Sequence, residues 1–372
     1  MVINAVDYSS RLLSLEHVEE AYRDSALLTF RNNDRAFDAV DLTGRLFGIG
    51  YGHTTGATPA TWAATTAYSV GGSVQPVTPD GKRYYCVVAG TSGGTQPTWP
   101  TIGNTVVDGT VTWEYGCSSG DEYSNSATLW VKSQQLISSE GQLLCQLYCE
   151  GMWTYLREQR IMFVGSAPGY DYEWTTKTPY GIIEEIIETG FSWTLLALAT
   201  SDGIMDVFLP VFTLNDSPYE NATAVLERLI AFTKSYLRAK AGKVFEVVYP
   251  QTSDAPNETY YSNQAHYFIK YTEKKNVDIP NRVVVFCNNP DNLVPWPTPV
   301  MTGDTGAYSG QYVEVMESFV DRSITVQGDA NLRAAAILTK VKSEQLAGVL
   351  IVPHDARVEL YDKVKVMDVR GL

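Results

Sequence analysis

Apolar residues along this chain recur with two periods, and the shorter one dominates. Alternation with period two predicts strands at Ser25–Arg31, after which Asn32–Asp34 reads as a polar turn, and at Leu46–Ile49. It returns at Ala127–Gln134 and Gln142–Met152, and Trp153–Val164 continues in the same manner. Further strands are predicted at Lys243–Tyr249, His266–Thr272, Arg282–Cys287, Gln311–Glu317 and Ile324–Gln327. The last are Val349–Val352, Arg357–Leu360 and Lys363–Val369.

Spacing by threes and fours marks three helices. The longest opens at Asp216 and Ser217, whose side chains suit an N-cap, with Pro218 in the first turn. Its stripe, Ala222, Val225, Leu226, Leu229, Ile230, Phe232, Thr233, Tyr236 and Leu237, predicts about six turns. Lys234, Arg238, Lys240 and Lys243 favour its carboxyl end, and Gly242 is the expected stop. Tyr180–Thr189 is a second helix with Ile182, Ile183, Ile186 and Ile187 inward, and Ala330–Leu346 a third.

Composition narrows the class. A chain of 372 residues exceeds one core and divides into about two to four units. Only 19% of residues are charged while 12% are aromatic, 23 of them Tyr, which suits a β-rich chain with extensive subunit contacts. A net charge of -14 and a sequence pI near 4.8 argue against gripping nucleic-acid phosphates. The five cysteines have neither CxxC spacing nor a dense disulfide pattern, so free, partly buried thiols in a reducing cytoplasm are expected. No apolar run reaches a membrane span and no signal h-region is expected, so no membrane insertion is expected.

Between Thr54 and Gly120 charge nearly vanishes and aromatics fall in an orderly series. Trp62, Tyr68, Val74, Tyr84-Tyr85-Cys86, Gly90-Thr91-Ser92-Gly93, Pro97, Trp99-Pro100 and Asp108-Gly109-Thr110-Val111-Thr112-Trp113 describe a small β-module. Asp80-Gly81 and Asp108-Gly109 are hairpin signals. This pattern resembles a small module recurrent in tailed-phage structural proteins and, loosely, the aromatic-rich carbohydrate-binding modules of chitinases. The second resemblance makes Trp62, Tyr84, Trp99 and Trp113 a candidate glycan platform. The same rings are needed to build so small a core, and both readings stand at this level.

Catalytic patterns fail on context. Gly90-Thr91-Ser92-Gly93-Gly94 fits G-x-S-x-G, yet Pro97 and Pro100 forbid the helix a nucleophile elbow requires. His17, His53, His266 and His354 lack metal-ligand spacing, and the acidic Glu16–Glu20 patch around His17 reads as a solvated strand edge. Glu184, Glu185 and Glu188 fall on the polar face of their helix as solvated charge. Gly48-Ile49-Gly50-Tyr51-Gly52 is not a dinucleotide fingerprint. No catalytic, metal or cofactor site is expected, and the chain reads as a non-enzyme.

A broader resemblance rests on Leu226–Tyr236 with Phe245–Pro250, on Ile279–Val285, on Ala334-Ala335-Ala336, on Leu350–Pro353 and on Leu360–Val366. Together these are similar to the baseplate hub (tail-associated, late-control) proteins of tailed phages. The resemblance implies a mainly β fold with α+β parts. It implies a discontinuous N-terminal tube-type barrel (residues 1–52 and 121–165) interrupted by the inserted module (53–120). An α+β region (166–279) and a C-terminal tube-type barrel with one helix (280–372) would follow. It further implies a homotrimeric ring at the tail tip or baseplate of a virion, assembled in the host cytoplasm. Such a ring joins a tail tube or distal tail protein to a central spike or fibre protein, and DNA passes through without specific binding. Asp362 is a candidate for a turn at the channel rim. The alternative is a glycan-binding tail protein contacting a surface glycan through the insert, with a polysaccharide hydrolase as a distant third.

Overall fold

Strands take up 43% of the chain and helices 18%, so the mainly β class with α+β parts is the one adopted. The computed structural model describes the chain except residues 1, 4–5, 54–58, 81, 101–104, 119–121, 140, 162–171, 215–219, 264–266, 276–279, 288–300, 306–312, 322–323, 325, 344–345, 356–357 and 370–372. It divides into two compact units. One comprises Met1–Ile49, Ser126–Thr252 and Glu273–Gly348; the other comprises Gly50–Asn125, Ser253–Thr272 and Val349–Leu372.

The first unit is built on a seven-stranded antiparallel sheet. Its spatial order is Val6–Asp7, Val2–Ile3, Leu46–Gly48, Leu129–Ser139, Gln142–Gly151, Arg23–Arg31 and Leu12–Glu20. Strict alternation explains the central strands: Ala26, Leu28 and Phe30 point inward from one, Cys145, Leu147 and Cys149 from its neighbour. Phe37, carried by the turn after Arg31, closes over them with its ring 5.5 Å from Phe30 and 4.9 Å from Tyr8.

Several elements depart from the periodicity. Trp153 does not continue the preceding strand; Met152–Glu158 is a helix, and 162–164 lie outside the described residues. The cause is a contact distant in sequence: Asp24, on the adjacent strand, accepts the Met152 amide at 3.1 Å and starts the helix. The six-turn helix is likewise shorter. It spans Ala222–Ala231, capped by Asn221, whose Oδ1 accepts the Ala224 amide at 2.8 Å. Asp216 and Ser217 lie outside the described residues.

Tyr236–Lys240 is instead a strand paired antiparallel with Val244–Val248, and Gly242 (φ 80°) turns the hairpin between them. Thr233 Oγ1 donates back to the Ile230 carbonyl (2.9 Å), while Asp202 Oδ2 takes the Lys234 amide and the Ser235 hydroxyl, each at 2.8 Å. These polar contacts pull the chain off the helical path although the apolar spacing continues. Gln327 begins the helix Gln327–Ser343, so Ile324–Gln327 is not a strand, and Ile324 itself is buried in the main core.

The expected helix at Tyr180–Thr189 forms as Pro179–Glu184 followed by a wider π turn, Glu185–Gly190, with all four isoleucines buried. It packs into one core with Trp153, Leu156, Leu226, Leu229, Ile230 and Phe245. In the C-terminal part of this unit, Met301–Asp304, Arg282–Cys287 and Met316–Asp321 form a three-stranded sheet. Val283 and Val285 on one face are covered by Ala334 and Ile337 of the Gln327–Ser343 helix.

The second unit holds the aromatic segment. Its five-stranded sheet runs Thr105–Asp108, Val111–Ser118, Lys82–Val88, Ser73–Gln75, Ala60–Thr61. Gly50–His53 and Glu122–Asn125 pair antiparallel as the stem on which the segment begins and ends. Glu258–Tyr261 pairs in parallel with Val364–Met367, and Lys270–Lys275, of which Lys270–Thr272 belong to this unit, pairs with Leu346–Ile351. The strand expected at His266–Thr272 therefore starts later, and His266 lies outside the described residues. Of the strand expected at Arg357–Leu360, Arg357 lies outside the described residues and Val358–Leu360 leads instead into a turn in which Asp362 Oδ2 accepts the Glu359 amide at 2.9 Å. Among the described residues the strands of 280–372 thus belong to three separate sheets.

Candidate functional site

The inserted segment is organised by one carboxylate. Asp108 ends the strand Thr105–Asp108 and is buried. Its Oδ2 accepts the indole N–H of Trp62 at 2.8 Å and of Trp113 at 3.0 Å, and its Oδ1 accepts the Gly93 amide at 2.8 Å. Two loops, 46 and 15 residues away, and the neighbouring strand Val111–Ser118 are thereby tied to one side chain. Gly109 follows in the left-handed region (φ 64°), and a Cβ there would collide with the Thr91 carbonyl, so Asp-Gly is required both by the turn and by the close approach. Thr110 donates its amide to the Thr91 carbonyl (2.9 Å) and accepts the Thr91 amide on its hydroxyl (2.7 Å), zipping the two loops together.

The rings fill the space this carboxylate organises. Trp113 and Tyr84 are buried in a core with Trp62, Val74, Cys86 and Val111. Trp99, half-buried, stacks on Tyr84 at 4.3 Å and meets Trp113 edge-on at 5.9 Å, and Tyr68 meets Trp113 edge-on at 4.8 Å. The Tyr84 hydroxyl donates to Asp80 at 2.7 Å. All four residues of the candidate glycan platform come together here, and the faces of Trp62, Tyr84 and Trp113 are covered by the module's own atoms. Trp99 is the member with part of its surface in solvent.

The G-x-S-x-G segment belongs to the same construction. Ser92 is buried; its hydroxyl donates to the Ala63 carbonyl (2.7 Å) and accepts the Thr66 amide (2.9 Å). A hydroxyl committed to two backbone groups fastens loops together and is not poised as a nucleophile.

Two further buried carboxylates hold the first unit. Asp24 sits under the start of the Met152–Glu158 helix, where a Cβ on Gly151 would overlap its carboxyl group. Burial pushes its pKa up to about 7, against the lowering effect of the Met152 and Trp153 amides. Oδ1 of Asp24 has no hydrogen-bond partner among the described residues. Asp202 holds the amides of Ile204 (2.9 Å) and Met205 (2.7 Å) on Oδ1, opposite the Lys234 and Ser235 contacts on Oδ2.

The chain superposes on the tail protein from Neisseria meningitidis MC58 with a TM-score of 0.57 at 10% identity, over 100% of this chain and 86% of that one. The fold is that of a tail protein. The 43 kDa tail protein of prophage MuSo2 from Shewanella oneidensis aligns with a TM-score of 0.48 at 11% identity, over 96% of this chain and 89% of that one. No protein-family model and no curated protein matches the sequence.

Within the tail-protein fold the remaining candidates have mainly structural surroundings. His17 Nε2 lies 3.6 Å from Glu19 on the edge strand Leu12–Glu20, and the His354 ring lies 4.7 Å from that of Tyr51. Glu184 and Glu188 are exposed as expected, but Glu185 is half-buried. Its Oε2 accepts Trp174 Nε1 at 2.7 Å and Lys177 Nζ at 2.9 Å, so it clasps the preceding loop. Among the described residues no group of three or more His, Cys, Asp or Glu could hold a metal. Cys86, Cys145 and Cys149 are free and buried, and Cys287 is half-buried.

Sequence reasoning missed Asp24, Asp108 and Asp202. Asp108 carried a usable signal, an Asp-Gly turn five residues before a Trp in a segment nearly devoid of charge. Asp24 carried none, because the Met152 amide lies 128 positions away, and Asp202 showed only its local turn with Ile204 and Met205, since its Oδ2 partners lie 32 and 33 positions away.

Proposed function

We propose that this protein is a structural component of a phage tail, the baseplate hub, and works as a homotrimeric ring. The carrying observation is that its whole length takes the fold of a tail protein, with the inserted segment beginning and ending on one two-stranded stem. Three copies place six sheet-bearing segments around an axis, giving pseudo-sixfold symmetry from threefold composition. Sheets whose outermost strands are open within one chain are completed by neighbouring copies. The ring joins a tail tube or distal tail protein to a central spike or fibre protein at the tail tip. A chain of net charge -14 lines a channel from which DNA phosphates are repelled, so the genome passes without adhering.

The glycan-binding alternative needs an aromatic face open to solvent. The rings of Trp62, Tyr84 and Trp113 are covered within the module, which favours a structural reading of the insert. Imaging the particle that contains this chain tests the proposal. Three copies in a ring on the tail axis are expected, and isolated copies on the outside of the tail overturn it.

A further inference from the structure

Two strands of this chain keep main-chain groups turned outward along an unpaired edge. Thr105–Asp108 is the last strand of the five-stranded sheet and pairs on one side only, with Val111–Ser118. Cys86 accepts the Gly71 amide and donates its own to the Gly72 carbonyl, so its main chain points away from Val111–Ser118. Trp113, opposite Cys86, therefore turns its groups to Val106, and those of Thr105 and Val107 face out of the sheet.

The other edge is the outer half of Leu129–Ser139. Leu46–Gly48 pairs with it only at Leu129 and Trp130, and Gly44 and Arg45 bond Val131 just beyond. The Leu143 carbonyl accepts the Asn32 amide, so Leu143 is turned towards Arg23–Arg31. Ser138, opposite Leu143, and Leu136, opposite Cys145, then direct their groups away from Gln142–Gly151. Among the described residues nothing bonds the main chain of Thr105, Val107, Leu136 or Ser138 on these edges. Thr105–Val107 and Gln134–Ser139 contain neither charge nor proline, the usual guards of an open edge, and Val107 is 68% and Leu136 48% exposed.

We propose that Thr105–Asp108 of one copy adds antiparallel to the Gln135–Ser139 edge of the next, so that the inserted module clasps its neighbour. This rests on the ring reading above and names one contact that holds the ring together.

The outward groups set the register. Val107 opposite Leu136, and Thr105 opposite Ser138, exchange both main-chain hydrogen bonds, and Val106 meets Ile137 at the non-hydrogen-bonded pair between them. Apolar side chains face apolar ones and hydroxyl faces hydroxyl, which are favourable cross-strand pairs. A slip of two residues sets Val107 against Gln134 or Ser138, and a parallel arrangement sets it beside Ser138, so each alternative loses these matches. Because the two strands are different surfaces of one chain, the contact is heterologous. Such contacts close into rings when the rotation permits.

The test reads self-association of the full chain by sedimentation, with circular dichroism as the folding control. Val107→Lys with Leu136→Lys sets like charges opposite each other and should weaken association about tenfold or more. Val107→Lys with Leu136→Glu should recover most of it, and Val107→Lys with Ser138→Glu, placed for the wrong register, should recover less. Replacing residues 54–120 by a short Gly/Ser link removes one strand altogether and should weaken association even if a lysine variant misfolds. If the wild type assembles but the folded double-lysine or deletion variant assembles equally well, or Glu at 136 and at 138 rescue alike, the strand pairing is wrong and the ring reading survives. A ring imaged in the particle with these two strands apart has the same meaning. A wild type that stays monomeric both alone and within the particle removes the ring and this contact together.

Discussion

Replacing Asp24 by Asn should abolish a pH dependence that the wild-type first unit carries. The carboxyl group is buried beneath the start of the Met152–Glu158 helix, with one oxygen on the Met152 amide and the other unpartnered among the described residues. Its pKa rises from the ordinary 3.8 to about 7, so between those values the folded state binds a proton that the unfolded state has released. Stability therefore falls as pH rises through that window; the contribution is fully present below 3.8 and lost above about 7. Each tenfold change in proton affinity is worth about 1.4 kcal/mol, so the whole window is worth about 4 kcal/mol.

Asn has the shape of the protonated acid and keeps an acceptor for the Met152 amide, but it does not titrate. Its intrinsic effect cancels when the stability difference between variant and wild type at pH 8 is compared with that at pH 4. Urea denaturation at a series of pH values, followed by circular dichroism and Trp fluorescence, measures that comparison. Asp24→Asn should gain about 4 kcal/mol on the wild type between the two ends of the series. Parallel stability–pH curves for the two proteins would show that Asp24 titrates normally and that its burial costs nothing.

The inserted segment should respond sharply to Asp108→Ala, which strands two buried indole donors at about 1–3 kcal/mol each and frees the half-buried Gly93 amide. Loss of the module's near-ultraviolet Trp signal at a temperature where the rest stays folded is expected, and an unchanged signal would refute the role. Deleting residues 54–120 behind a short Gly/Ser link should leave a soluble, cooperatively melting protein, because His53 and Glu122 are already cross-strand neighbours; an insoluble product would make the segment part of the host core. Burial pushes the Cys145 thiol up to about 11 and that of Cys149 up to about 12, so neither should react with a thiol reagent at pH 8 until the protein is unfolded. Rapid native labelling of either would show that the sheet opens there.

What could be read in the sequence is what local periodicity controls. Arg282–Cys287 forms as expected, and Ile182, Ile183, Ile186 and Ile187 are all buried, because each pattern matches the face its element buries. The aromatic segment was visible as a separate construction because a stretch with almost no charge and many rings can fold only around those rings. The same spacing misled wherever a distant polar group intervened. Leu226 to Leu237 keeps a helical stripe, yet Asp202 takes the Lys234 amide and the Ser235 hydroxyl and the chain turns into a strand. Trp153 follows a strand in phase, yet Asp24 on a neighbouring strand begins a helix there. A buried carboxylate demands donors from whatever part of the chain the fold delivers, and sequence spacing does not encode that delivery. For the same reason Asp108 reads locally as half of a turn, and only the tertiary structure makes it the group on which Trp62, Gly93 and Trp113 converge.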